Sequence, residues 1–134
     1  MTIKENLISL IIPTYKGANS LPKLVDELVD KFKDLEFEIV IVNDCSPDNT
    51  HENLKILTDK YHDKITYLRL SKNFGEHSAI MAGLRHSRGD LIIIMDDDYQ
   101  NPPEEAYKLA EFSLKSEYDV IFTKYEIKKD SFLR

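Results

Sequence analysis

Apolar runs of strand length alternate along this chain with segments in which apolar residues recur at helical spacing. The strand-like runs are LISLII (7–12), FEIVIV (37–42), ITYLRL (65–70), LIIIM (91–95) and YDVIFT (118–123). The first helical segment carries its apolar residues at Leu21, Leu24, Val25, Leu28 and Phe32. Strands that alternate with helices predict an α/β fold, a doubly wound, mostly parallel sheet of about five strands with helices on both faces.

Loop residues indicate where the helices begin and end. Ser46 with Pro47 is a good start for the second helix, and the third helix is expected from about Glu76. Gly89 follows the basic last turn of that helix and is predicted to be its left-handed cap. No repeat, low-complexity tract or linker interrupts this pattern, so residues 1–134 are predicted to form a single domain.

Composition restricts the functional classes. The chain has 134 residues, of which 42% are hydrophobic and 31% charged, as in ordinary soluble proteins with a real core. Its net charge of -6 argues against a surface that wraps nucleic acid. Cys45 is the single cysteine, which excludes an internal disulfide and fits a reducing, cytoplasmic setting. No apolar run approaches the roughly 18 residues that span a bilayer, so no membrane span is expected in this chain.

Four polar loops follow the predicted strands at the edge where open α/β sheets bind ligands, which is the edge of their carboxyl ends. These loops read PTYKGANS, NDCSPDNT, SKNFGEH and DDDYQNPP. Turn chemistry alone could explain the Asn, Asp, Gly and Pro residues in all four. The residues alone therefore leave open whether the loops form a binding site or ordinary turns.

Three consecutive aspartates come directly after the fourth apolar run, and their mutual repulsion calls for compensation by water or by a cation. In an extended chain Asp96 and Asp98 point to the same face, whereas Asp97 points away and is expected to be only a solvated acid. Asp96 and Asp98 could both serve one metal ion if the chain bends there, or if one acid acts through water or a ligand hydroxyl. Carboxylates without nearby His or Cys select Mg²⁺ or Mn²⁺, ions that usually hold phosphates as well. The hypothesis is a metal-bound nucleoside diphosphate.

Other nucleotide-binding and phosphate-binding classes fit less well. The chain has neither the G-x-G-x-x-G pattern of a dinucleotide fold nor the G-x-x-x-x-G-K-[ST] pattern of a P-loop. A magnesium-dependent phosphoacceptor domain of the receiver or haloacid-dehalogenase kind is a better rival. Such domains place their key aspartate after an early strand, where this chain has Pro13, Thr14 and Tyr15. A non-catalytic nucleotide-binding module is the rival from another class.

Four segments resemble, in order and spacing, the nucleotide-sugar-binding half of family 2 glycosyltransferases with the GT-A fold, a Rossmann-like arrangement. They are SLIIPTYKGANSLPKLVDEL, EIVIVNDCSPDNT, LSKNFGEHSAIMAGLRHSRGD and IIIMDDDYQNPPEE. The subgroup that this chain resembles most is the polyprenyl-phosphate sugar transferases. The resemblance covers residues 7 to about 125. It implies inverting transfer of a sugar from a UDP- or GDP-sugar to a lipid phosphate or a glycan, in cell-envelope polysaccharide biosynthesis.

The resemblance also implies roles for individual residues near the nucleoside. Pro13, Thr14 and Tyr15 match the segment that lines the nucleoside pocket. Asp44 matches the acid that hydrogen-bonds the base, and a carboxylate can accept from a ring N–H of uracil or guanine. Lys72 matches a basic position near the nucleotide, with Asn73 and Gly75 expected to shape its loop.

The D-x-D acids and a nearby amide form the implied metal site. Asp96 and Asp98 match the acids around the ribose, the diphosphate and the Mg²⁺ or Mn²⁺ ion, and Gln100 matches a glutamine that adds a neutral oxygen to the same metal. One departure concerns the first motif, which the family usually continues as P-T-Y-N-E. This chain has Lys16 and Gly17 instead, which removes an acid from the nucleoside side.

The resemblance stops before the acceptor-binding half of the family. The catalytic base is therefore expected beyond Arg134, and residues 1–134 are expected to bind a nucleotide with metal but to transfer sugar poorly alone. The parent protein is expected at the cytoplasmic face of the membrane. An open sheet edge left by the missing half is a candidate surface for a homodimer.

Overall fold

The structure is a computed structural model that describes residues 6–99 and 102–122. In that part of the chain strands and helices alternate from beginning to end. The strands are β1 (Leu7–Thr14), β2 (Glu36–Asn43), β3 (Ile65–Arg69) and β4 (Leu91–Ile94). The helices are α1 (Leu21–Lys31), α2 (Thr50–Lys60), α3 (Glu76–His86) and α4 (Pro103–Lys115). None of the described helices is long and apolar enough to cross a membrane.

The strands form one sheet in the order β3-β2-β1-β4, and every pair of neighbours is parallel. In this register Thr14 at the end of β1 lies opposite Asn43 at the end of β2. Ile11 of β1 lies opposite Ile94 at the end of β4. The predicted α/β class with a parallel sheet is confirmed, and the carboxyl ends of β1, β2 and β4 meet at one edge.

Side chains that alternate along β1 and β2 enter two separate apolar layers, which follows from the two-residue period of a strand. Leu10 and Ile12 belong to the large core cluster, together with buried residues of α1, α2 and α4. Ile11 points the other way and packs in a smaller cluster with Val40, Val42 and Ala79 of α3. Helices therefore cover both faces, as the alternating pattern predicts. Burial of each such aliphatic side chain stabilises the fold by about 1.5 to 3 kcal/mol.

The predicted fifth strand is wrong for the residues that can be checked. Residues 118–122 have no strand conformation, and Thr123 lies outside the described residues. The apolar residues Tyr118, Val120 and Phe122 alternate as in a strand, but they are mostly exposed, and Phe122 is 90% exposed. Alternation predicts a strand only where one face is buried and a neighbouring strand accepts its hydrogen bonds. The sheet of the described residues has four strands.

Strand β4 is one of the two edge strands of the described sheet, and β1 is its neighbour there. Ile92 and Ile94 of this strand are exposed. An edge strand with exposed apolar side chains is a possible site for pairing with another chain. The homodimer expected from such an edge stays a prediction.

The second helix begins later than predicted. It starts at Thr50, and Asp48 is the residue whose side chain organises the start. The Asp48 Oδ1 atom accepts hydrogen bonds from the Thr50 amide at 3.1 Å and from the Thr50 hydroxyl at 2.5 Å. Ser46 is bonded instead to Asn43, inside the loop that precedes the helix.

A buried carboxylate joins three segments at the edge of the sheet opposite the carboxyl ends. Glu38 of β2 is 3% exposed and accepts hydrogen bonds from the Ser9 hydroxyl and the Arg88 amide, both at 2.7 Å. The Arg88 guanidinium donates two further hydrogen bonds to Glu38, at 3.0 and 3.1 Å.

Gly89 is not the predicted left-handed cap, because its φ angle is not positive. Its amide donates to the Ser9 Oγ at 2.8 Å, and a Cβ at residue 89 would lie only 2.5 Å from that oxygen.

We expect Glu38→Gln to lower the free energy of unfolding at pH 7 by about 1 to 3 kcal/mol, the usual range for hydrogen bonds to a buried charged group. Burial by itself would raise the pKa of Glu38, but the hydrogen bonds from Arg88 and Ser9 outweigh it and lower the pKa below its usual value. The ionised form therefore stabilises the fold above the unfolded-state pKa, and this contribution is lost as the pH falls through the lowered value.

Urea titrations from pH 7 down to pH 3 would check both parts of this expectation. The difference in stability between the wild type and Glu38→Gln should shrink toward the acid end. Glu36→Gln is the matched control, because Glu36 is an exposed acid at the start of the same strand. Equal effects of the two substitutions would contradict the role assigned to the buried carboxylate.

Candidate functional site

A cleft of about 540 Å³ lies at the carboxyl edge of the sheet, and all four polar loops contribute to it. Its lining residues are Pro13, Thr14, Tyr15, Asp44, Asn73, Gly75, Glu76, Ala79, Asp96, Asp97 and Asp98. The structure thus brings together the predicted residues of the first, second and fourth loops. Their roles toward a ligand stay predictions.

One predicted site residue of the described part of the chain, Lys72, is not among the residues that line the cleft. Lys72 lies with its Nζ atom 5.1 Å from the centre of the Phe74 ring, a cation–π contact within the third loop. The position of the Lys72 ammonium outside the described lining of the cleft does not support its predicted role near a nucleotide. Gln100, the predicted neutral metal ligand, lies outside the described residues.

Asp44 fixes the third loop through the backbone. Its side chain is almost completely buried, and it accepts hydrogen bonds from the amides of Phe74 at 2.9 Å and Gly75 at 3.0 Å. Its own amide donates to the carbonyl of Thr14 at 2.9 Å. Each carboxylate oxygen can accept a further hydrogen bond, so a contact with a nucleobase remains available. The sequence did not reveal that Asp44 holds the third loop, because Asp44 and Gly75 are far apart along the chain.

Gly75 has a backbone conformation that side chains rarely allow. Its φ of 100° and ψ of 164° fall in a region populated almost only by glycine. This conformation turns the chain into α3 and points the Gly75 amide at Asp44, and the Asn73 side chain accepts from the same amide at 3.1 Å. The expectation that Asn73 and Gly75 shape the loop agrees with this geometry.

Positive φ angles also occur in the three other loops of the cleft. Among the described residues, those other than glycine with positive φ are Lys16 at 60°, Cys45 at 56° and Tyr99 at 64°. A left-handed residue with a side chain costs roughly 1 to 2 kcal/mol. Strain of this kind collects at functional sites, where the surrounding structure holds it in place. The sequence showed no signal for it.

Ser46 ties the first two loops together. Its hydroxyl accepts a hydrogen bond from the Lys16 amide at 2.9 Å and donates to the Asn43 side chain at 2.7 Å. The Asn43 amide group donates in turn to the Tyr67 hydroxyl at 3.0 Å, which lies 2.7 Å from the Nδ1 atom of His51. This network, buried at Asn43 and Ser46 and partly exposed at Tyr67 and His51, holds the strained turns at Lys16 and Cys45 in place.

The middle aspartate is not the solvated acid that strict alternation predicts. The chain bends at residues 97–99, so Asp97 lines the same cleft as its two neighbours. Asp97 is half-buried, and its Oδ2 atom accepts a hydrogen bond of 2.5 Å from the Thr14 hydroxyl. Burial raises the pKa of Asp97, and the charges of Asp98 and Asp96 act in the same direction. Tyr99 packs against the large core cluster and anchors this bent loop.

The charge of the cleft decides what it can bind. Acidic side chains line it from three elements, at Asp44, Glu76, Asp96, Asp97 and Asp98, and no Lys or Arg is among its described lining residues. Within residues 6–99 and 102–122 no group of three or more His, Cys, Asp and Glu side chains is arranged to hold a metal ion. Mg²⁺ and Mn²⁺ commonly use one or two carboxylates together with ligand phosphates rather than a complete protein cage. The Asp96 and Asp98 carboxylates fit such a shared site.

Asp44→Asn should accelerate amide hydrogen exchange at one of the two amides of Phe74 and Gly75, because the new side chain keeps only one acceptor oxygen. Loss of a hydrogen bond worth about 1 kcal/mol corresponds to an exchange rate about five times higher. Amide exchange measured by NMR would check this. The Leu70 amide, which donates to the Asn43 carbonyl, is the internal control and should keep its protection. Unchanged exchange at the amides of both Phe74 and Gly75 would contradict the view that the Asp44 carboxylate fixes the third loop.

A family model described as "Glycosyl transferase family 2" matches residues 9–134. Among curated proteins, an undecaprenyl-phosphate 4-deoxy-4-formamido-L-arabinose transferase of Proteus mirabilis (strain HI4320) is 38% identical over 133 residues. That match covers 98% of this chain and 40% of the relative. The chain therefore spans about 40% of the length of such relatives.

Solved structures with a similar fold include one complex with UDP-GlcNAc and one with GDP-Man and Mn²⁺. TarS residues 1–349 of S. aureus in complex with UDP-GlcNAc has a TM-score of 0.61 at 30% identity, over 78% of this chain and 30% of that one. A mannosyltransferase of Pyrobaculum calidifontis in complex with GDP-Man and Mn²⁺ has a TM-score of 0.62 at 23% identity, over 69% of this chain and 28% of that one. The second similarity shows the fold alone. Both likenesses agree with the expected GT-A arrangement.

Proposed function

The chain belongs to glycosyl transferase family 2, and we propose that its cleft binds the nucleoside diphosphate of a sugar donor together with Mg²⁺ or Mn²⁺. One observation carries the proposal. The cleft at the carboxyl edge is lined by several carboxylates and by no Lys or Arg of the described residues. A diphosphate would be repelled from such a surface unless a divalent cation lay between the two sets of negative charges.

The residues divide into a nucleoside side and a phosphate side. Asp96 and Asp98 hold the metal and, through it, the diphosphate. Tyr15, which is 45% exposed beside the cleft, and Asp44 face the nucleoside. The UDP-GlcNAc complex of TarS, at 30% identity, supports a nucleotide-sugar donor of the UDP type. The metal supplies charge stabilisation for a leaving diphosphate when it is bound.

The proposed reaction of the whole protein is inverting transfer of a sugar to a lipid phosphate. The curated relatives at about 40% identity act on undecaprenyl phosphate by their names, which supports a polyprenyl phosphate as acceptor. We propose that residues 1–134 form one donor-binding domain and that the acceptor site involves other parts of the protein. No described residue is assigned as the catalytic base. The family match favours this reading over a phosphoacceptor domain.

Calorimetric titration of UDP, GDP, CDP and ADP, with and without Mn²⁺, tests the donor site. We expect one nucleotide to bind in a metal-dependent way, and we expect Asp98→Asn to weaken that binding about tenfold or more, equivalent to about 1.4 kcal/mol. Loss of one carboxylate removes a metal ligand and part of the cation's attraction to the site.

The control is Asp59→Asn, which makes the same change in charge at an exposed position near the end of α2. It should bind like the wild type. Absence of binding by a folded wild type, or binding that is equally tight without metal, would overturn the proposed function.

A further inference from the structure

We propose that Asp97 is a positioning residue whose hydrogen bond with Thr14 couples the nucleoside side of the cleft to its metal side. This inference rests on the proposed function. It concerns the aspartate that the sequence pattern sets apart from the D-x-D pair. The Thr14 hydroxyl donates to the Asp97 Oδ2 atom at 2.5 Å, across a sequence separation of 83 residues.

The two partners of this bond come from different sides of the proposed site. Thr14 ends β1 and is 3% exposed, so its hydroxyl is held in one place by the sheet. Asp97 lies between the two proposed metal ligands, in the loop that bends after β4. A displacement of that loop would break the bond, since the hydrogen bond requires a donor–acceptor distance near 2.7 Å.

Gly17 lies directly beside the Thr14–Asp97 hydrogen bond and leaves no room there for a side chain of its own. A Cβ atom at Gly17 would lie 2.6 Å from the Asp97 Oδ2 atom and would also collide with the Thr14 hydroxyl. Glycine at residue 17 therefore leaves room that the bonded pair fills. The close fit of Gly17, Thr14 and Asp97 keeps the first and fourth loops at one fixed separation.

The same bond is the first link of a chain that reaches every loop of the cleft. The Thr14 carbonyl accepts from the Asp44 amide at 2.9 Å, which connects the first and second loops. The Asp44 carboxylate accepts from the amides of Phe74 and Gly75, which connects the third loop. A metal bound at the Asp96 and Asp98 end thus acts on the nucleoside end through ordered contacts. The Asp97 side chain connects the two ends through its bond with Thr14.

Coupling between metal and nucleotide is the quantity that tests this role. For each protein the nucleotide dissociation constant is measured by calorimetry without Mn²⁺ and with saturating Mn²⁺, and the ratio of the two is the coupling factor. The proteins are the wild type, Thr14→Val, Asp97→Ala, the double variant and Thr14→Ser. Valine keeps the branched shape without the hydroxyl, and serine keeps the hydroxyl.

We expect Thr14→Val and Asp97→Ala each to reduce the coupling factor about fivefold or more. The double variant should show no further reduction, because both substitutions remove the same bond. Thr14→Ser should keep most of the coupling. A bond that only stabilised the fold would lower the melting temperature and leave the coupling factor of the folded protein unchanged.

Two results would overturn the coupling role while the proposed function stands. One is metal-dependent nucleotide binding with an unchanged coupling factor in Thr14→Val. The other is a double variant in which the two effects multiply, which would make Asp97 a direct metal ligand independent of Thr14. Failure of the wild type to bind any nucleotide with Mn²⁺ would overturn the proposed function and the coupling together.

Discussion

The parallel pairing of β1 with β2 on one side and β4 on the other is the constraint on which the whole site depends. Thr14 lies opposite Asn43, and Ile11 lies opposite Ile94. Three strands therefore end close together and direct their loops to one cleft. A shift of register by one residue would turn each side chain to the other face of the sheet, and Thr14 would no longer reach Asp97. The strand register that places apolar side chains in the two core layers thus also sets the positions of the polar residues around the cleft.

The rigid sheet allows the loops to hold conformations that they would not adopt alone. Among the described residues, each loop of the cleft contains one with positive φ, namely Lys16, Cys45, Gly75 and Tyr99. Together the three residues other than glycine cost several kcal/mol by the usual estimate for left-handed conformations. Hydrogen bonds such as the one from the Lys16 amide to Ser46 offset part of this cost. Stability from the core is therefore used to keep the cleft in one shape before any ligand arrives.

Apolar patterns predicted the four strands, their alternation with helices and the edge of the site, because repeated burial leaves a local pattern in the sequence. They failed at residues 118–122, where apolar alternation has no neighbouring strand. They also failed at Asp97, because alternation assumes an extended chain and the chain bends. Gly89 was assigned to a helix end although it is needed for close approach to Ser9. These errors share one physical reason: the structure at each position depends on whether a segment distant in the sequence contacts it, and a local pattern does not record that.

The departure from the family's first motif, at Gly17, lies next to the middle aspartate, Asp97, in the structure. Gly17 stands where the family usually has an acid, and a side chain there would occupy the place of the Asp97 carboxylate. A side chain at residue 17 therefore requires the Thr14 and Asp97 side chains to move from their observed positions. The chain keeps a negative charge beside Thr14 but supplies it from the loop that carries the proposed metal ligands. Because that loop is anchored to the sheet edge by Thr14 itself, a side chain at residue 17 would disturb the bonded pair of Thr14 and Asp97. Loss of the Asp97 carboxylate would remove the acceptor of the Thr14 hydroxyl.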